Sequence, residues 1–268
     1  MTDSDRIRIT RAEGVVEIAL NRPDKRNAWD MAMFDALTRA GEALAGEEGL
    51  VAVILHGAGG HFSAGLDMAM FAAMGADMAA LRAEILGPPA ETPPRANRFQ
   101  RPCTVWAEVP APVIAAVEGV AFGAGLQLAL GADLRILAPD ARLSVMEARW
   151  GLIPDMGISQ TLPPLMPADR ALDLILSARE VGAEEALAIG LATSIAPHPL
   201  VAARAMAAAL AEVSPGVRAG AKRLVRAGWQ GNPAALRLEA EIQAALIGSP
   251  DQMEAVAARL SRRPPRFG

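Results

Sequence analysis

The chain has 268 residues, 52% of them apolar, so it can bury a large core and disorder is not expected. Its 26 basic and 30 acidic residues leave a net charge of −4, without the basic footprint of a general nucleic-acid binder. Cys103 is the only cysteine, His56, His61 and His198 are the only histidines, and tyrosine is absent, which excludes internal disulfides, thiolate clusters and Tyr acid–base chemistry and points to a cytoplasmic location.

Met1 to Thr10 is polar and charged and lacks the apolar stretch of a signal peptide, so no export is expected. Ile7 and Ile9 alternate with arginines, and Val15, Val16, Ile18 and Leu20 follow a Glu13-Gly14 turn, which predicts a β-hairpin. Met31, Phe34, Leu37, Ala40 and Leu44 then recur at spacings of three and four, which predicts an amphipathic helix to about Ala45. Val51 to Leu55, followed by the Gly57 to Gly60 breaker, predicts a buried strand.

Leu66 to Met74 has helical character, whereas Gly75 to Arg95, Ala-rich and then Pro-rich, reads as a variable loop with a short helix that shapes a binding pocket. A helix from about Arg95 to Glu108 leads to a buried strand Val113 to Val117, a loop Gly119 to Gly123, a helix from Ala124 and a strand Leu134 to Leu137. Ala111 to Ala132 is apolar apart from Glu118 and Gln127, but the central Glu and four glycines favour strand, loop and helix over a membrane span. From about Ala183 the pattern is helical, broken by prolines and by a strand-like Leu191 to Ile195. Strands alternating with helices predict an α/β fold closed by a C-terminal helical layer.

Several motifs fail on inspection. Gly123-Ala-Gly125-Leu-Gln-Leu128 imitates a dinucleotide fingerprint, but Leu128 stands where a small residue is required. Gly60-His-Phe-Ser63-Ala-Gly65 has one residue too many for a nucleophile elbow, and neither lysine sits in a phosphate loop. Cys103 reads as a small buried hydrophobe and His56 as a structural core or rim residue.

Two glycine-containing loops remain, 61–67 and 119–127, each following a buried strand and leading into a helix. Free N–H groups at such helix starts favour an oxygen that gains negative charge, so the pair could form an oxyanion hole; equally, glycine-rich turns of this kind are ordinary in α/β proteins.

These loops sit within a wider match. Leu20 to Ala28 (LNRPDKRNA), Phe62 to Asp67 (FSAGLD), Ala115 to Gly125 (AAVEGVAFGAG), Ala132 to Ile136 (ADLRI), Glu147 to Gly157 (EARWGLIPDMG) and Arg262 to Phe267 (RRPPRF) resemble, in order, the motifs of the enoyl-CoA hydratase/isomerase (crotonase) family. The resemblance implies an α/β spiral of ββα units over residues 1–195 and a C-terminal helical oligomerisation region over 196–268, assembled as a homotrimer or a dimer of trimers. It implies an acyl-CoA thioester substrate, with coenzyme A entering as part of that substrate and no separate cofactor, metal, nucleic acid or membrane partner.

By the same resemblance, the backbone N–H groups of Leu66 and Ala124 hold the thioester oxygen, while Lys25, Arg26, Ala28, Ala64, Asp67, Met68 and Phe122 fall where the family contacts CoA or the substrate. Of the two glutamates that hydratases use, the second aligns with Glu147 and the first with Gln127. Gln127 can orient water but cannot shuttle a proton. Asp155 aligns with an aspartate of the dienoyl-CoA isomerases, and equally suits a turn after Pro154. The chain is therefore expected to be a hydratase or isomerase with Glu147 as acid/base, Asp155 assisting and Gln127 orienting. A dienoyl-CoA isomerase and a non-catalytic CoA-ester binder are the alternatives.

Overall fold

The computed structural model describes residues 5–73, 78–86, 96–229 and 235–267. Strands β1 (Ile7–Ala12) and β2 (Val15–Leu20) form the expected antiparallel hairpin, with Ala12 opposite Val15. Its two turn residues, Glu13 and Gly14, both have positive φ, the twist that a tight hairpin requires. Helix α1 (Met31–Ala45) starts where predicted because Asp30 caps it, accepting a hydrogen bond from the Met33 N–H at 3.0 Å.

Strand β3 (Ala52–Gly57) is followed by α2 (Met68–Ala73), α3 (Met78–Leu86) and α4 (Arg101–Thr104). The rest of the variable segment expected over 75–95 lies outside the described residues. The helix expected over 95–108 is shorter: α4 begins at Arg101, next to Pro102 in its first turn, and gives way to a 3₁₀ turn at Val105–Ala107. Next come β4 (Val113–Val117), β5 (Val120–Phe122), α5 (Ala124–Gly131), β6 (Leu134–Leu137) and β7 (Arg142–Ser144). The stretch 119–123, expected as a loop, thus contains a three-residue strand, and β7 was not predicted. Both are too short to show a period of two.

The chain continues through α6 (Ile158–Thr161), α7 (Ala168–Ser177), β8 (Val181–Gly182), α8 (Ala183–Ala188) and β9 (Ser194–Ile195), the last a shortened form of the expected 191–195 strand. It closes with α9 (Pro199–Ala211), α10 (Pro215–Gly228), α11 (Ala235–Leu246) and α12 (Pro250–Leu260). Among the described residues, no single helix is long and apolar enough to cross a membrane.

The larger sheet runs β1-β2-β3-β4-β6-β9, parallel from β2 onward, and the smaller runs β5-β7-β8. Side chains of β3 and β4 alternate between two apolar layers. Val53, Leu55, Val113, Ala115 and Val117 face the main core with α1 and α5, whereas Ala52, Ile54, Ile114 and Ala116 face Ala203 and Ala207 of α9. Burial on both faces explains why these strands read as unbroken apolar runs. The carboxyl ends of β3 and β4 deliver the two glycine loops to one place, which fixes the site.

Candidate functional site

Residues 61–67 are pinned from both sides by backbone hydrogen bonds. On one side Ser63 bridges Ala121 of β5, with Ser63 N–H donating to Val120 O at 2.9 Å and Phe122 N–H to Ser63 O at 3.0 Å. On the other, Ala64 N–H donates to Arg26 O at 2.8 Å, Trp29 N–H to Gly65 O at 2.8 Å and Asp67 N–H to Trp29 O at 2.9 Å. Because its neighbours Gly65 and Asp67 take both of Trp29's bonds, the N–H of Leu66 points the other way.

The other donor comes from the start of α5. Ala124 is its first residue, so its N–H has no carbonyl to pair with inside the helix. The preceding Gly123 is tied to the end of β7 through its N–H, which donates to Ser144 O at 3.0 Å. Gly65 lets the two loops close on each other. Its φ is +90°, and a Cβ there would stand 2.8 Å from the Phe122 carbonyl oxygen and 3.7 Å from the Ala124 nitrogen. Leu66 and Ala124 therefore both line one cavity, of about 630 Å³.

Most of this cavity is apolar, with Phe34, Met70, Phe99, Trp150, Leu152 and Met156 among its walls. Glu147 and Asp155 face into it from the segment after β7. Glu147 opens a 3₁₀ turn, Glu147–Trp150, held by the Arg149 side chain, whose Nε donates to Ala178 O at 3.0 Å. Its carboxyl lies against the Gly123–Ala124 turn, since a Cβ on Gly123 would be 3.4 Å from Glu147 Oε1. Oε1 accepts a 2.7 Å hydrogen bond from Gln127 Nε2, and Oε2 is buried with no hydrogen-bond partner among the described residues.

Burial raises the Glu147 pKa above the ordinary carboxylate range; the negative charge of Asp155 adds to this, and nearby backbone N–H groups and Gln127 oppose it. Asp155 is open to solvent on one side, yet crowding by the wall around it also raises its pKa. The Cys103 thiol is wholly buried, as the sequence predicts, and is raised in turn by burial and by both carboxylates.

Of the residues singled out from the sequence, Lys25, Ala28, Ala64, Leu66, Asp67, Met68, Ala124, Glu147 and Asp155 line the cavity. Arg26 and Phe122 are not among its walls and enter through their backbone carbonyls, Arg26 O anchoring Ala64 and Phe122 O facing Gly65. Gln127 is also off the wall. It is 1% exposed, and its Oε1 accepts the Met156 N–H at 2.8 Å, so the expected role of orienting a water in the pocket does not fit its placement. The Asp67 carboxylate is already engaged, by Arg22 Nη2 at 2.9 Å and by the Ala69 N–H at 3.0 Å, and these bonds hold it below the ordinary range.

Sequence reasoning passed over Asn27 and Ser63 as individual residues. Asn27, fully buried at φ +56°, donates to Ala58 O and His61 O at 2.9 and 2.7 Å, and its own carbonyl accepts the Ser63 hydroxyl at 2.9 Å. It clamps the 22–28 turn to the 58–63 loop. An Asn directly after a turn-forming Pro-Asp-Lys-Arg run is the signal, since Asn tolerates the left-handed conformation better than most residues.

Known proteins resemble the chain in sequence and in fold. The family model described as enoyl-CoA hydratase/isomerase matches residues 10–268. A Rhodobacter capsulatus protein named "Probable enoyl-CoA hydratase" is 36% identical over 267 residues, covering 97% of each chain. The mitochondrial Delta(3,5)-Delta(2,4)-dienoyl-CoA isomerase of Rattus norvegicus is 34% identical over 230 residues, or 81% of this chain and 67% of its own length. Among solved structures, the enoyl-CoA hydratase of Bacillus anthracis superposes with a TM-score of 0.87 at 29% identity over 98% of both chains. The α/β architecture is thus the crotonase fold, and the chain belongs to the enoyl-CoA hydratase/isomerase family. It is an acyl-CoA-processing enzyme of that class.

Proposed function

We propose that the enzyme isomerises an unsaturated acyl-CoA thioester by proton transfer. Glu147 acts as base, Asp155 as acid, and the Leu66 and Ala124 N–H groups hold the enolate oxygen. The observation that carries this reading is that Glu147 and Asp155 face one apolar cavity while Gln127 lies behind its wall. Hydration as the family's paired glutamates perform it needs a second acid–base group where Gln127 stands, and Gln127 supplies neither a proton nor a place for the water. Isomerisation needs only removal and return of a proton.

The chemistry follows from the placement. A hydrogen on the carbon beside a thioester carbonyl is weakly acidic, and two backbone donors on the developing oxyanion, each typically worth about 2.7–4 kcal/mol, bring it within reach of a carboxylate. Glu147 lies beside the Gly123–Ala124 turn, hence beside the carbonyl and its neighbouring carbon. In a 3,5-dienoyl-CoA the C2–H bond breaks to Glu147 and its electron pair enters the enolate. The pair then moves outward, forming C2=C3 and C4=C5, while C6 takes a proton from Asp155. One proton leaves, one returns, and no water is consumed. Raised pKa values in both carboxyls support a pair that carries one proton between them. Lys25, exposed at the cavity edge, supplies a cation for the phosphates of CoA.

Likeness to a dienoyl-CoA isomerase supports this reading, and likeness to named hydratases sets the competing outcome. Purified protein is incubated with crotonyl-CoA and with a 3,5-dienoyl-CoA in deuterated water, and the products are examined by mass spectrometry. The expected result is a shifted double bond in the dienoyl ester, one deuterium gained and no added water. Addition of water to crotonyl-CoA with the dienoyl ester unchanged overturns the isomerase reading in favour of a hydratase. Conversion of neither ester overturns it as well.

A further inference from the structure

We propose that Gln127 is a positioning residue whose single side-chain amide sets both carboxyl groups of the site at once. Its Nε2 donates to Glu147 Oε1 at 2.7 Å and its Oε1 accepts the Met156 N–H at 2.8 Å, directly after Asp155 in the chain. The inference rests on the reading of Glu147 as the base.

Gln127 is well suited to hold others still because it is itself immobile. It is buried in the first turn of α5, its own N–H closing that turn on Gly123 O at 3.0 Å. One residue therefore ties together the oxyanion turn, the base and the segment that carries the acid. Apart from Gln127, the Glu147 carboxyl is held among the described residues only by backbone N–H groups of its own turn. Glu147 Oε2 has no hydrogen bond among the described residues, and Asp155 is itself exposed, between the buried Pro154 and Met156.

The choice of an amide has an electrical consequence. It donates to the carboxylate without carrying charge, so it favours the ionised form of Glu147 against burial and against the charge of Asp155. Among the described residues, the titratable groups that interact electrically with Glu147 are Asp155 and the buried Cys103 thiol, and neither offers a compensating positive charge. A second carboxylate at 2.7 Å would instead have to share a proton with Glu147.

The test uses the full-length enzyme, the variants Gln127→Met and Gln127→Glu, and Glu147→Gln as control. Each is assayed on the 3,5-dienoyl-CoA, or on crotonyl-CoA if the wild type hydrates it. Turnover is followed from pH 4 to 9, with melting temperature and hexanoyl-CoA binding as checks on folding. Gln127→Met is expected to lower kcat by about 10²-fold, the low end for displacing an acid–base group, while KM changes little. The acid limb of its kcat/KM profile moves to higher pH because the donor to Glu147 is gone. Gln127→Glu keeps the side-chain length and an acceptor for Met156, and its acid limb moves upward as well.

An unchanged kcat and acid limb in a folded Gln127→Met overturns the proposal. If that variant does not fold, an unchanged limb in Gln127→Glu does so. Glu147→Gln separates the two claims. Full activity there rejects Glu147 as the base, whereas an inactive Glu147→Gln beside a wild-type-like Gln127→Met rejects only the positioning role.

Discussion

One wall of the cavity, residues 61–67 with the start of α5, is made of backbone, and the other, residues 146–156, is made of side chains. On the first wall Ser63 is fully buried, Ala124 is 5% exposed, and backbone bonds to two different segments fix the geometry. On the second, Trp150 is 49% and Ile153 74% exposed, the backbone bonds run within the segment itself, and side-chain bonds from Gln127 and Arg149 tie it to α5 and Ala178. The difference teaches where substitutions matter. A wall of peptide N–H groups is indifferent to most side chains but demands glycine where two backbones touch. A wall of carboxyl groups depends on the identity of each residue.

The largest effect is expected on the side-chain wall. Glu147→Gln keeps the shape and removes the proposed base, and kcat/KM should fall by about 10³-fold or more, within the range for losing a general base. A steady-state assay on the accepted ester measures it. The backbone wall breaks next, at Gly65. Gly65→Ala forces a Cβ to 2.8 Å from Phe122 O at a φ of +90°, displacing the Leu66 donor. Rate should drop by about 10²–10³-fold, with a lowered melting temperature.

Asp155→Asn should cost about 10²-fold in kcat and also remove the alkaline limb of the pH profile. The sign follows from the proposed pair: if Glu147 must be ionised and Asp155 protonated, activity falls at low pH as Glu147 gains a proton and at high pH as Asp155 loses one. Since burial raises Glu147, the acid limb of the wild type should lie above the ordinary glutamate value of about 4.3. The smallest effect belongs to Leu66→Met. The donor is the peptide N–H and the volume is nearly kept, so kcat should change by no more than about twofold. A large loss there would erase the distinction between the walls.

The sequence exposed the backbone wall well. Apolar spacing and glycine breakers placed β1–β4, α1 and α5, and the two glycine loops stood out because small residues cluster after apolar strands. Glu147 and Asp155 were legible as residues, through the Glu147 to Gly157 motif. The partners that fix them were not. Gln127 and Met156 are 29 positions apart, and nothing local to either marks the bond between them. Arg22 reaches Asp67 across 45 positions and occupies a carboxylate that otherwise reads as a ligand contact. Strands β5 and β7, three residues each, carry no period at all, yet they position both the Gly123–Ala124 turn and Glu147.

The most direct test of the account is exchange of the C2 protons of a 3,5-dienoyl-CoA with deuterated water, followed by NMR in the wild type, Glu147→Gln and Asp155→Asn. Exchange reports the base and the oxyanion hole without the return of the proton at C6. The account predicts exchange in the wild type and in Asp155→Asn, the latter without isomerised product, and none above background in Glu147→Gln. Wild-type exchange in Glu147→Gln would contradict it.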